Sequence, residues 1–140
     1  MVHPDLDELL NAVIPFAQQT LVNHGEFYPF GASVAPDGTV AMESADMGEE
    51  HPQSQELIDM LTEGFRRSAR AGQIRAACIC YDARTIPPGE TEKTDAICIA
   101  MEHESGDSVD VFLQYSKDSR GNISYGELFG GQRERQFFVT

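Results

Sequence analysis

The 140-residue chain predicts one α+β domain spanning residues 1–140. Its expected architecture is two helices packed on one mainly antiparallel sheet of about five or six strands, in the order α-β-β-α-β-β-β(-β). Three observations carry this. Two stretches repeat apolar residues at three- and four-residue steps, which is the period of an amphipathic helix. Several later stretches, rich in β-branched and aromatic residues, are separated by short Gly, Pro and Asp clusters, which is the pattern of an antiparallel meander. A hydrophobic content of 41% with eight Phe and four Tyr supplies one core, and the length leaves no room for a second.

The first helix is expected from about Pro4 to Asn23, with Leu6, Leu9, Leu10, Val13, Ala17 and Leu21 along one stripe. Pro4 suits a first turn, Asp5, Asp7 and Glu8 suit the positive end of the helix dipole, and Gly25 is a natural stop. Pro15 lies mid-helix, where a missing N–H predicts a bend near Asn11. Residues 26–34 and 40–42 flank Pro36-Asp37-Gly38-Thr39 and predict a hairpin. Ser44 to Pro52 reads as an acidic loop. The second helix is expected from about Gln53 to Ala71, with Leu57, Leu61 and Phe65 at four-residue spacing and Gly72 after it. Ile74 to Ala83 is apolar at nearly every position except Arg75, as a strand covered on both faces requires. Strands follow over Asp95–His103, Val109–Tyr115 and Ile123–Phe129, and Gln136–Val139 is a candidate for a short last one. The order is similar to that of roadblock/profilin-like domains, which however end in a third helix.

Charge is the outlier in composition. The net charge is −13, yet the chain has no Lys or Arg before Arg66, and twelve of its 23 acids precede that point. So acidic a chain disfavours phosphate-backbone binding and anionic membrane surfaces, and no nucleic-acid or membrane partner is expected. No apolar run reaches the roughly 18 residues of a membrane span, and the first residues have no basic region of a signal peptide. The acidic first half can stay solvated, pair with Arg66, Arg67, Arg70, Arg75 and Arg84, or face a basic partner.

Motifs for catalysis, cofactors and metals are missing from the sequence. Cys78 and Cys80 share a strand face, and Ala76, Cys78 and Cys80 beside Ala96, Cys98 and Ala100 read as one band of small side chains under a helix. Their odd number and the lack of a signal peptide point to a reducing cytoplasm. His3, His24, His51 and His103 are scattered, with no pair at helical spacing. The acidic clusters match no calcium loop, and no glycine pattern forms a phosphate cradle. No catalytic residue, metal ligand or cofactor is therefore assigned. The binding candidates are Glu43, Asp46, Glu49 and Glu50, as an acidic docking face, and Phe27, which falls on the opposite parity from Tyr28 and Phe30.

The Gly25-to-Gly31 run, Gly-Glu-Phe-Tyr-Pro-Phe-Gly, with the Pro36-Asp37-Gly38 turn, resembles small acidic bacterial proteins of uncharacterised function. Some small acidic α+β proteins of that kind are immunity proteins that plug a toxin. The missing catalytic motifs and the anionic first half, with its Glu43–Glu50 loop, predict a non-catalytic protein-binding domain, an immunity-type inhibitor or a scaffold, docking a basic partner. Self-association through the aromatic edge at 27–30 is a further expectation. The alternative is a small enzyme or ligand-binding domain with its site between residues 24–31 and 84–93, using His24, Glu26 and Arg84 as polar groups.

Overall fold

Leu6, Leu9, Val13, Ala17 and Leu21 form the buried stripe of the first helix, α1 (Pro4–His24), as their spacing requires. Burying each of the larger ones contributes roughly 2 kcal/mol. The computed structural model describes residues 3–44, 53–86 and 88–139. In chain order the remaining elements are β1 (Phe30–Val34), β2 (Val40–Ser44), α2 (Ser54–Arg70), β3 (Ala76–Thr85), β4 (Thr94–His103), β5 (Ser108–Lys117) and β6 (Ile123–Gln132). The six strands form one antiparallel sheet in the order β2-β1-β3-β4-β5-β6. The expected fold class and element order hold.

Helix α1 runs unbroken through Pro15 rather than splitting. Pro15 and Asn11 both lie on the exposed face, so the Asn11 carbonyl that loses its partner can turn to water. Gly25 ends the helix at φ 76°, its N–H donating to the Leu21 carbonyl.

The two helices lie on opposite faces of the sheet. Phe30, Ala32, Val34, Ala76, Cys78, Cys80, Ile97, Ile99 and Met101 pack with α1. The alternate residues Ala77 and Ile79 pack with Leu61 and Phe65 of α2. Strand β3 is thus covered twice, which explains its near-continuous apolar run. Helix α2 comes close because β1 carries Gly31 beneath it. A Cβ at Gly31 would stand 2.6 Å from the Cys78 carbonyl oxygen and 2.8 Å from the Phe65 ring.

Register also divides the small side chains that the sequence suggested were one band. Even-numbered residues of β3 stand opposite odd-numbered residues of β4, so Cys78 faces Met101 and Cys80 faces Ile99. Cys98 instead stands opposite Tyr81, on the α2 side. The bands are two, one per face.

The chain after β6 forms no strand over Gln136–Val139. It crosses the α2 face of the sheet, and Phe137 is buried against Phe65 at a ring-centroid distance of 5.4 Å. Glu102 holds it there. This carboxylate is 0% exposed and accepts the backbone N–H groups of Gln136, Phe137 and Phe138 at 2.7, 2.9 and 3.2 Å. Arg133 lies 3.3 Å from the same carboxylate and 5.1 Å over the Phe137 ring, and Arg66 Nε donates to the Gln136 carbonyl. A segment without strand pairing needs such partners for its backbone. Removing the carboxylate leaves three N–H groups without their acceptor and Arg133 with Asp110 alone, 3.7 Å from its Nε. Glu102→Ala is expected to cost about 3 kcal/mol in urea denaturation. It should also open the chain to trypsin after Arg133 and Arg135, and unchanged cleavage would count against the clamp.

Candidate functional site

The most connected polar cluster joins residues distant in sequence. Asp5, in the first turn of α1, is buried and accepts Arg75 Nε at 2.8 Å and Nη2 at 3.1 Å. His103 Nε2 lies 2.8 Å from Asp5 Oδ2, and its Nδ1 accepts the Ser105 N–H at 3.0 Å. That second bond makes Nε2 the protonated nitrogen, so His103 donates to Asp5. His3 stacks on His103 at 3.7 Å between centroids, while its Nδ1 accepts the Asp5 N–H. Arg75 also reaches the Pro36 carbonyl. The cluster therefore ties the start of α1 to the β1–β2 and β4–β5 turns.

One donor atom from each of His3, Asp5 and His103 lies within 4.8 Å of the others, a donor set that could hold a metal ion. The geometry does not suit one. Both Asp5 oxygens accept from the Arg75 guanidinium, His103 Nε2 already lies 2.8 Å from Oδ2, and the Nδ1 atoms of His3 and His103 accept backbone N–H groups. The donors are spent on fastening the fold.

At the other end of the α1 face, the Tyr115 hydroxyl donates to Asp82 at 2.6 Å, and Lys117 donates to the Gly25 carbonyl at the negative end of α1. Burial pushes the Asp82 carboxyl up, against the Tyr115 hydrogen bond, and neighbouring Asp95 and Glu26 add to the rise. The three cysteines are buried. Burial pushes Cys78 and Cys98 up to about 12 and raises Cys80 as well, so none is a nucleophile near neutral pH.

A further candidate among the described residues is the edge at β2. On the α1 side, Phe16, Phe27, Tyr28, Pro29, Phe30 and Met42 line a groove of about 410 Å³. Phe16 is 51% and Met42 46% exposed. On the α2 side, Ser33, Met60, Leu61, Gly64 and Phe65 line a hollow of about 270 Å³. Glu43 and Ser44 border both, because β2 is the strip between them. No family model, curated protein or solved structure matches the chain. The site is read from its own geometry.

Glu43 lies on β2, exposed, at this border. Asp46, Glu49 and Glu50 lie outside the described residues. Phe27 is only 7% exposed and packs edge-on to Phe30 at 6.0 Å, so it is core that floors the groove rather than a protruding anchor. Residues 26–29 precede β1 and do not follow strand alternation, which buries Phe27 and exposes Tyr28, the reverse of the parity reading. His24 is exposed in the last turn of α1, and Arg84 is on β3, 3.5 Å from Asp95.

Internal pairing consumes little of the early acidity. Asp5 pairs with Arg75, and Glu63 with Arg66 and Arg67. Asp7, Glu8, Glu26, Asp37, Glu43 and Glu56 are exposed and make no ion pair among the described residues. None of the described helices is long and apolar enough to cross a membrane.

Two predictions follow from the buried groups. Burial alone would raise the Asp5 pKa, but hydrogen bonds from Arg75 and His103 and the charges of Arg75 and His3 outweigh it and hold it below the ordinary 3.8. A carboxyl lowered by folding stabilises fully above its unfolded pKa, and that stability is lost as pH falls through the folded value. Asp5→Asn should cost about 3 kcal/mol at neutral pH. The variant should also show a shallower loss of stability below about pH 4 than the wild type, measured by urea melts across pH. The thiols should resist iodoacetamide in the native protein and react fully once it is unfolded. Rapid native labelling would contradict their burial.

Proposed function

We propose that the protein is a non-catalytic binding domain that docks a basic protein partner at the β2 edge, as an inhibitor or a scaffold. The observation that carries this is the groove itself: exposed apolar side chains, Phe16, Tyr28 and Met42, bordered by Glu43. It lies in the half of the chain that holds no Lys or Arg before Arg66. Apolar contact area supplies affinity, and Glu43 with the net negative charge of the first half steers a cationic partner and suppresses anionic ones. The titratable clusters support a binding role over a catalytic one. Both His103 nitrogens, both Asp5 oxygens and the Tyr115 hydroxyl are already engaged in holding the fold.

The test is affinity capture from the native host with wild-type protein and with Phe16→Asp/Met42→Asp as bait, followed by titration of the purified partner. The expected result is a basic protein whose affinity falls about tenfold between about 50 and about 300 mM salt, and which the double variant fails to capture. A partner bound equally by both baits, or one indifferent to salt, would overturn the proposal.

A further inference from the structure

The hairpin's hydrogen-bond phase specifies how a partner can seat on this edge. The Ala35 N–H donates to the Thr39 carbonyl, Gly38 follows at φ 94°, and the Arg75 N–H donates to the Val34 carbonyl. In an antiparallel ladder, bonded and non-bonded pairs alternate. Residues 41 and 43 therefore bond inward to β1, and the N–H and C=O groups of Val40, Met42 and Ser44 point away from the sheet. Among the described residues, strand β2 pairs with β1 alone and ends the sheet order. Within its five residues it carries no proline, bulge or lysine, three of the features that keep an edge from pairing, and its one charge is Glu43. The opposite edge differs: β6 holds Gly126, Gly130 and Gly131, and its ladder shifts register between Leu113 and Tyr115.

Among the described residues, both hollows flank this edge, one on each face. A strand added to β2 would send alternate side chains into the apolar groove of Phe16, Tyr28 and Met42, and the others toward Glu43 and Met60. We propose that β2 captures its partner by strand addition, and that the partner segment is extended, alternating large apolar residues with Lys or Arg. The apolar residues fill the α1-side groove. The basic ones lay their aliphatic stems along Met60 and place their charge at Glu43. A second copy of this chain fits less well, because it would set Glu43 against another acidic half-chain without a cation. This rests on the docking role proposed above and adds the mode and the chemistry of the partner.

A seven-residue synthetic peptide alternating Lys with Phe and Val tests it, by amide chemical shifts of the labelled full-length protein. Three comparisons are needed: an isomer with its apolar residues grouped, a peptide N-methylated at alternate residues, and Met42→Pro protein. Pro at 42 removes an outward N–H and no bond to β1. The expected result is shifts centred on Val40–Ser44 and Met60, weakened by salt, and a loss of about tenfold or more in affinity in each comparison. The N-methylated peptide keeps the test valid should Met42→Pro disturb the fold. Salt-dependent binding indifferent to N-methylation and to apolar order would overturn strand addition and leave acidic docking standing. Absence of any salt-dependent binding would overturn both. Wild-type protein that dimerises with concentration, as Met42→Pro does not, would give the edge to a second copy and overturn the basic-segment assignment.

Discussion

Strand β3 is apolar on both faces, and covering it twice is the constraint from which the architecture follows. One helix cannot cover both sides of a sheet, so α1 takes the face of Cys78 and Cys80, and α2 the face of Ala77 and Ile79. The second cover is the thinner one. Helix α2 settles over Gly31 and leaves Ile79 to be completed by the chain after β6, with Phe137 as its apolar contribution. Irregular backbone can lie on a sheet only where something satisfies its N–H groups. Glu102 does so from within the sheet, and a buried carboxylate is tolerable there because three N–H groups and Arg133 surround it.

The same constraint locates the exposed chemistry. Carboxylates inside the fold are committed: Asp5 to Arg75 and His103, Asp82 to Tyr115, Glu102 to the closing segment. Those groups tie turns and ends together. At the β2 edge, Phe16 of α1 and Met42 leave an accessible apolar groove on one face, and Met60, Leu61 and Phe65 of α2 line a hollow on the other. Glu43 is exposed at that edge and makes no ion pair among the described residues.

Much of the candidate site was beyond sequence reasoning for identifiable reasons. His3 and His103 are a hundred positions apart, and only the return of β4 to the start of α1 stacks them. The sequence contains no local signal for such a pair. Glu102 follows Met101 in a strand and looks like an outward polar residue until the closing segment covers it. Phe27 and Tyr28 exchanged roles because alternation was extended past the true start of β1 at Phe30. Glu43 was marked for its charge, and its position between two hollows came only from the sheet order.

The sequence by itself determined the helix stripes, the turns and the antiparallel succession of strands, and it localised the negative charge to the first half. These are local properties: apolar period, φ-permissive residues and composition act within a few positions. Which face each helix covers, which cysteines share a side, how the closing segment is held and which strand ends the sheet beside the two hollows were decided by tertiary structure. Those depend on register between strands, and a shift of one residue in register moves every side chain to the other face.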